Sequence, residues 1–167
     1  MLQGLDDLYQ EIILDHHRNP RNQGLVEPAD LSAKGFNPFC GDQVVLTAGL
    51  DHSGHLAHVG MEGQGCAISQ ASASIMGELI KGKSLEEAEA LVELFKQVMV
   101  GHELTVDEAD QLGELAALEG VRNFPVRIKC ALLAWKVLDQ AIREVTGADP
   151  DQTAEDDSDI QTRTTSN

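Results

Sequence analysis

The sequence is poor in cysteine and in aromatic side chains. Its three cysteines cannot all pair, so a complete disulfide framework is excluded. The thiols are therefore expected to pack, to bind a metal or to take part in sulfur chemistry. With one Trp, one Tyr and four Phe, aliphatic and alanine side chains must form the core. No CxxC pair is present, so the usual strong signal for a zinc site is missing too.

Basic residues are also scarce, because 12 Lys and Arg stand against 28 Asp and Glu and give a formal net charge of −16. A negative field of that size repels phosphate backbones and anionic lipids, so neither nucleic acid nor a membrane is an expected partner. No apolar run approaches the roughly 20 residues that span a bilayer. The first residues lack the basic start and apolar stretch of a secretion signal. The sequence therefore predicts a cytoplasmic protein.

What the sequence does contain is the pattern of one domain with a hydrophobic core, which its length allows. Residues 31–62 read as sheet, with strand candidates at 43–50 and 55–61 and a weaker one at 33–37. The remaining periodicity is helical. It predicts helices over 5–17 and 67–81, one behind the capping box Ser84–Glu87, a shorter one behind the capping box Thr105–Glu108, and a last helix from the cap Asn123 to Thr146.

The domain is predicted to cover residues 1–147. Residues 148–167 have no hydrophobic periodicity and are rich in Asp, Thr and Ser. A segment of that composition cannot offset the entropy lost on ordering. The sequence therefore predicts a disordered acidic tail that the domain does not need.

A loop just before the first strong strand holds a thiol and a carboxylate. Cys40 lies between Pro38 and Gly41, and Asp42 follows it by two residues. In extended backbone, side chains two residues apart point the same way. The spacing therefore predicts two ligands for a tetrahedral cation on one side of the chain. For Cys40 in such a loop, a functional role is favoured over simple packing.

The other two cysteines are ambiguous on residue evidence alone. Cys66 follows the Gly-rich turn 63–65 and starts a helix, where the helix N-terminus favours a thiolate. The same turn could serve geometry alone. Cys130 lies beside the main apolar stripe of the last helix, so it can reach a site at the edge of the core or be inert packing.

The six histidines predict no rival metal site. His55 and His58 face opposite sides of the predicted sheet, so they cannot share an ion. His16 and His17 end the first helix, where a positive charge complements the helix dipole. Structural roles are therefore expected for the histidines.

Taken together, several segments resemble the U-type iron–sulfur cluster assembly proteins, which comprise IscU, SufU and the N-terminal domain of NifU. The similarity covers residues 5–147. It is carried by the segments LYQEIILDH at 8–16, RNPRN at 18–22, NPFCGD at 37–42, GCAIS at 65–69 and RIKC at 127–130.

The resemblance implies an α+β fold, with a three-stranded antiparallel sheet packed by about five helices. It implies a zinc ion held by Cys40, Asp42, Cys66 and Cys130. It also implies a partner, a cysteine desulfurase of the SufS type that uses pyridoxal phosphate.

Within this family the sequence is most similar to the SufU branch. Scaffold-type IscU proteins carry a His directly before the third cysteine, where this sequence has Lys129, and a Leu-Pro-Pro-Val-Lys motif that is absent here. Segment 100–120 resembles the helix-bearing insertion of SufU proteins. Arg127 and Lys129 could offset the net negative charge of three thiolates, one carboxylate and a zinc ion.

The implied activity is sulfurtransferase-like: the desulfurase hands a persulfide sulfur to Cys40, whose loop can swing, and the sulfur passes to downstream iron–sulfur assembly components. Two alternatives remain. One is a scaffold that assembles a [2Fe-2S] cluster or binds iron on the same ligands. The other is a non-catalytic binding module that zinc stabilises. The missing His favours sulfur transfer over the scaffold, and a mobile ligand gives no advantage to a purely structural site.

Overall fold

The computed structural model describes residues 7–147 and 161–164. Their elements, in chain order, are α1 (Asp7–Arg18), β1 (Leu31–Asn37), β2 (Asp42–Leu50), β3 (Leu56–Gln64), α2 (Ala67–Ile80), α3 (Leu85–Met99), α4 (Val106–Leu112), a 3-10 helix (Gly113–Asn123), α5 (Pro125–Thr146) and β4 (Gln161–Thr164). No helix among these residues combines the length and apolar character needed to cross a membrane.

The sheet is antiparallel throughout, with the strand order β3-β2-β1-β4. The first hairpin ends at the pair Asn37 and Asp42, and β2 pairs with β3 from Gln43 opposite Gln64 onward. The expected three-stranded antiparallel sheet is therefore confirmed in β1, β2 and β3, and the five expected helices in α1–α5. The turn between β1 and β2 therefore lies at the same end of the sheet as Gln64, the last residue of β3. The start of α2 follows three residues after Gln64.

The fourth strand differs from the prediction for the tail. Gln161–Thr164 pairs antiparallel with β1, placing Gln161 opposite Phe36 and Thr164 opposite Ala33. These four residues therefore form a strand at a place where the sequence predicts no regular element. The physical reason is that β1 presents an open edge of backbone donors and acceptors, and the two Thr residues of this segment favour extended structure. The rest of the tail lies outside the described residues.

The core fixes the position of α5 against α2 and α3. Trp135 is fully buried, and its ring centroid lies 5.4 Å from that of Phe95 on α3. Its Nε1–H donates to Ser72 Oγ of α2 at 3.1 Å, and that hydroxyl donates to the carbonyl of Ala131 at 2.6 Å. Burying a side chain of this size contributes a few kcal/mol, about 3–5 by the cost of truncating it. The start of α5 is thereby held close to the start of α2.

Local sequence signals set most of the helix ends. Both predicted capping boxes, at Ser84 and Thr105, are present with reciprocal hydrogen bonds. The predicted cap Asn123 is wrong, because Phe124 occupies the N-cap position of α5. Asn123 is instead the last residue of the 3-10 helix. That helix runs directly into α5, so no separate capping side chain is needed there, while Pro125 opens α5 as expected.

His16 is more deeply placed than the sequence predicts. Its side chain is 2% exposed, and its Nδ1 is hydrogen-bonded to Ser74 Oγ of α2 at 2.7 Å. Its Nε2 is hydrogen-bonded to Glu114 Oε2 of the 3-10 helix at 2.8 Å. His16 therefore joins three elements, whereas its neighbour His17 is exposed as a helix-terminal residue would be.

Candidate metal centre

The three cysteines and Asp42 come together at one end of the sheet. Cys40 lies in the turn between β1 and β2, Asp42 is the first residue of β2, Cys66 precedes α2, and Cys130 lies in the second turn of α5. Their sulfur and carboxylate oxygen atoms all lie within 4.8 Å of one another. Among the described residues, this is the one group of His, Cys, Asp or Glu side chains close enough to hold a metal ion.

Cys40 reaches the cluster through a tight turn. The sequence analysis places Cys40 and Asp42 in extended backbone, but the residues from Pro38 to Gly41 form the hairpin turn. Gly41 has a φ of 67°, in the left-handed region that favours glycine. Cys40 and Asp42 therefore lie side by side as predicted, but the hairpin turn, and not an extended strand, brings them together. Cys40 is partly exposed in this position.

Asp42 is fully buried, and both of its oxygens are hydrogen-bonded. Oδ1 accepts from the backbone N–H of Cys66 at 2.8 Å, and Oδ2 accepts from Nδ2 of Asn37 at 3.2 Å. Gly65 makes this approach possible, because a Cβ added there would collide with Asp42 Oδ1 and lie 2.8 Å from its Cα. The Gly-rich turn thus has a direct packing reason: it admits the carboxylate.

Cys66 occupies the N-cap position of α2 in extended backbone, as its Gly-rich approach predicts. Its carbonyl accepts from the backbone N–H of Gln70 at 3.1 Å and from Ser69 Oγ at 3.1 Å. The pKa of the Cys66 thiol is lowered to about 6, first by a hydrogen bond from the Cys130 thiol and further by hydrogen bonds to Ser69, against an opposing effect of burial. The Cys66 thiol therefore ionises more readily than an ordinary cysteine.

Cys130 is fully buried, yet its sulfur faces the cluster. Its Sγ lies 3.0 Å from Cys40 Sγ. The pKa of the Cys130 thiol is raised above its usual range, first because it donates to Cys66, and then because of burial and its hydrogen bond with Cys40. The sequence leaves two alternatives for Cys130, packing in the core or a place in the site. In the structure it does both: it is buried in the core and its sulfur belongs to the candidate metal group.

Two basic side chains border the cluster from the first turns of α5. Nη1 of Arg127 donates to Cys40 Sγ at 3.6 Å. The pKa of the Arg127 guanidinium is raised, mainly by its hydrogen bond with Cys130 and then by the nearby thiolate charges. Lys129 Nζ lies 4.9 Å from the centroid of the Phe39 ring, a cation–π contact with the residue before Cys40. Two of the 12 Lys and Arg residues of this acidic protein therefore lie beside the cluster.

Asn37 is a site residue that the sequence analysis does not identify. It ends β1, is fully buried, and donates to Asp42 Oδ2 at 3.2 Å and to Cys130 Sγ at 3.6 Å. Its Oδ1 accepts from the backbone N–H of Phe39 at 3.2 Å. The available signal was a polar residue at an inward position of β1, where the alternating pattern calls for an apolar one.

Residues 8–131 match the family model described as the NifU-like N terminal domain. The chain belongs to this family. The resemblance noted in the sequence is therefore confirmed.

Two curated relatives of this NifU-like domain carry different functional names. The chain is 43% identical to the zinc-dependent sulfurtransferase SufU of Bacillus subtilis strain 168, over 86% of this chain and 95% of that protein. It is 37% identical to the iron–sulfur cluster assembly scaffold protein IscU of Streptococcus pyogenes serotype M1, over 88% of this chain and 90% of that one. Both alignments span nearly the whole domain.

Solved structures confirm the fold of this NifU-like domain. It superimposes with a TM-score of 0.73 on a protein of Fervidobacterium islandicum AW-1 that is assigned as an iron–sulfur cluster assembly scaffold for the SUF system, with 37% identity over 79% of this chain and 94% of that one. An N-terminal NifU-like protein of Brucella abortus gives a TM-score of 0.74 at 23% identity over 86% and 98% of the two chains, which shows the shared fold.

Proposed function

We propose that this chain is a zinc-dependent sulfur acceptor in iron–sulfur cluster assembly, with Cys40 as the thiol that receives sulfur. The observation that carries the proposal is the convergence of three thiols and one buried carboxylate on one point, with Cys40 in a partly exposed turn. The 43% identity to a zinc-dependent sulfurtransferase supports it.

The donor set fits zinc in type, number and spacing. Zinc accepts thiolate and carboxylate ligands in tetrahedral sets, at about 2.3 Å to sulfur and about 2.0–2.2 Å to oxygen. Ligand atoms around such an ion are separated by roughly 3.5–3.8 Å, and the four here lie within 4.8 Å of one another. Cys40, Asp42, Cys66 and Cys130 would hold the ion. When bound, zinc keeps its sulfur ligands deprotonated at neutral pH.

Cys40 is the group best placed to react. Cys66 and Cys130 are held by helices, and both oxygens of Asp42 are hydrogen-bonded. Cys40 belongs to a turn and is partly exposed. Arg127 Nη1 donates to its sulfur at 3.6 Å, so a cationic group lies beside the thiol that would receive the sulfur.

Sulfur transfer to Cys40 balances without an outside oxidant. The sulfur donor is a cysteine persulfide on a desulfurase that uses pyridoxal phosphate, of the SufS type. The Cys40 thiolate attacks the outer sulfur of that persulfide, the donor's sulfur–sulfur bond breaks, and the donor cysteine leaves as a thiolate. Cys40 then carries the persulfide and passes its sulfur to downstream assembly components. The chemistry needs reduced thiols, which favours a cytoplasmic location.

The test is to incubate the zinc-loaded protein with a cysteine desulfurase and cysteine, and to map the added sulfur by intact-mass and peptide analysis. We expect one added sulfur atom, located on Cys40, and none on Cys40→Ser. Sulfur located on Cys66 or Cys130 in the wild type, or normal acceptance by Cys40→Ser, would contradict the assignment.

A second candidate function is a scaffold for a [2Fe-2S] cluster, with the cluster as cargo on the same four side chains. The observation that favours it is the 37% identity to a protein named as an IscU scaffold. The scaffold function predicts stoichiometric iron and visible charge-transfer absorption in anaerobically purified protein. Zinc without iron favours sulfur transfer.

A further inference from the structure

Asn37 is a polar residue that is fully buried at an inward-facing position of β1. It is fully buried at the end of β1, opposite Asp42 in the strand register. An amide removed from water costs free energy unless its hydrogen bonds are replaced. At an inward-facing strand position an apolar residue would avoid that cost. The contacts of the amide show what it does instead.

The two ends of the Asn37 amide serve different parts of the site. The Nδ2 group donates to Asp42 Oδ2 at 3.2 Å and to Cys130 Sγ at 3.6 Å. The Oδ1 atom accepts from the backbone N–H of Phe39 at 3.2 Å, which anchors the start of the turn that carries Cys40. One side chain therefore contacts a carboxylate, a thiol and the turn itself.

The donor end strengthens the hold on two of the four candidate ligands. With the N–H of Cys66 on Oδ1 and Asn37 on Oδ2, the Asp42 carboxylate is fixed from both sides. A carboxylate has about four acceptor positions, so it can keep both bonds and still bind a cation. Donation to Cys130 Sγ at 3.6 Å also restrains the position of that sulfur from the β1 side.

Among the described residues, the Asn37 amide makes no hydrogen bond with the sulfur of Cys40. Cys40 Sγ is instead contacted by Arg127 Nη1 at 3.6 Å and by the Cys130 thiol at 3.0 Å. The Asn37 amide reaches the turn of Cys40 only at Phe39, one residue earlier. The contacts are thus unequal: the amide holds Asp42 Oδ2 and Cys130 Sγ directly, whereas it holds Cys40 only through the backbone of its neighbour.

We propose that Asn37 is a positioning residue that fixes Asp42 and Cys130 in the ligand set and so makes Cys40 the ligand that exchanges. This inference rests on the proposed function, because it explains how one of four ligands is selected for sulfur transfer. Asn37 itself does not touch the transferred sulfur.

Two substitutions at Asn37 and one matched control test the proposal. Asn37→Leu replaces the amide with an apolar group that has the same number and branching of heavy atoms. Asn37→Ser removes it without placing an apolar group beside Asp42, and covers the case in which the Leu variant does not fold. The control is Gln43→Leu. Gln43 is the next residue after Asp42 and its side chain is exposed, so the substitution also removes an amide but at the surface.

The readouts are the absorption bands of the cobalt-substituted protein and the rate at which iodoacetamide alkylates each cysteine of the zinc-loaded protein, resolved by peptide mapping. In the wild type and in Gln43→Leu we expect Cys40 to be alkylated at least about tenfold faster than Cys66 or Cys130. In both Asn37 variants we expect that preference to shrink to about threefold or less, the cobalt bands to shift, and metal affinity to fall about 10- to 100-fold.

The outcomes separate this inference from the proposed function. Wild-type protein that binds neither zinc nor cobalt overturns both. Wild-type protein that binds metal, together with folded Asn37 variants that keep its cobalt bands and its preference for Cys40, overturns the role of Asn37 alone. Changed cobalt bands and a reduced preference in either folded Asn37 variant, with Gln43→Leu unchanged, support it, because loss of packing alone would not alter which thiol is alkylated.

Discussion

The carboxylate of Asp42 and the backbone amide of Cys66 are joined by a hydrogen bond of 2.8 Å. The bond ties the first residue of β2 to the N-cap of α2, so it connects the candidate ligands of the hairpin to the candidate ligand at the helix. A charged acceptor makes such a bond stronger than one between neutral groups. The four candidate ligands are therefore held together by the protein's own contacts, and Gly65 is the residue that leaves room for them.

Gly65→Ala is expected to impair metal binding, because its new Cβ would collide with Asp42 Oδ1. The backbone φ of 144° at Gly65 adds strain for any other residue. We expect metal affinity to fall at least about tenfold, in line with other displaced supports of metal ligands. Competition with a chromogenic chelator measures the affinity.

The matched control is Gly54→Ala, where φ is also positive, at 80°, but nothing lies within 4 Å of the added Cβ. The control shares the backbone strain without the collision, so it should lose some stability and keep its metal affinity. Equal metal affinity in the two variants would show that the contact with Asp42 is unimportant.

Cys66→Ser and Cys130→Ser are expected to lose zinc, because a serine hydroxyl stays protonated at neutral pH and is a poor zinc ligand. The Cys66 variant is the sharper of the two. Serine is a favoured N-cap residue, so α2 should be at least as stable in that variant. Loss of zinc there cannot be attributed to an unravelled helix.

Elemental analysis of both variants, alongside the wild type, measures the bound zinc. Cys130→Ser places a hydroxyl in a fully buried position, so Cys130→Ala is compared with it to separate packing from ligation. Full retention of zinc by any one of these variants would remove that cysteine from the ligand set.

The sequence identifies the four candidate ligands, but it does not identify Asn37, which holds two of them in place. Cys40 and Asp42 are recognisable because they share a short loop, and the family resemblance adds Cys66 and Cys130. Asn37 is not recognisable in the same way, because its role depends on the register that sets it opposite Asp42. No local pattern encodes that pairing.

In the rest of the fold, too, features set by neighbouring residues are predicted from the sequence, and contacts between distant residues are not. Capping boxes are local, and both are confirmed. His16 is hydrogen-bonded to Glu114, which is 98 positions away in the sequence, and the strand at Gln161–Thr164 depends on the available edge of β1. Contacts of that kind are set by tertiary packing, which overrides composition and local periodicity.

His16→Ala is expected to lower the free energy of unfolding by about 2–3 kcal/mol, because it removes one buried and one partly buried hydrogen bond and leaves a cavity. Its partners are Ser74 and Glu114. Zinc stoichiometry should not change, since His16 is outside the ligand group. Urea unfolding at equal metal occupancy measures the difference.

His17→Ala is the matched control, because His17 follows in the same helix and is exposed. Its effect should stay within about 0.5 kcal/mol. Similar losses of stability in the two variants would show that the hydrogen bonds of His16 contribute little.

Removal of the tail after Gly147 is expected to leave the metal centre intact and to cost little stability. Within the described residues, the tail contacts the body through β4, whose pairing covers Ala33 to Phe36 on β1. The site residues of the hairpin begin one position later, at Asn37, so β4 pairs with none of the four candidate ligands. A four-residue edge strand gains only a small free energy, because bringing two distant parts of the chain together costs entropy that opposes its pairing. A loss of about 1 kcal/mol corresponds to a fall of roughly 2–4 °C in Tm for a chain of this size.

Calorimetry of the chain ending at Gly147 measures its Tm, and elemental analysis measures its bound zinc. A fall of more than about 10 °C, or loss of zinc, would show that β4 supports the domain and the turn of Cys40, and would place the domain boundary beyond residue 147.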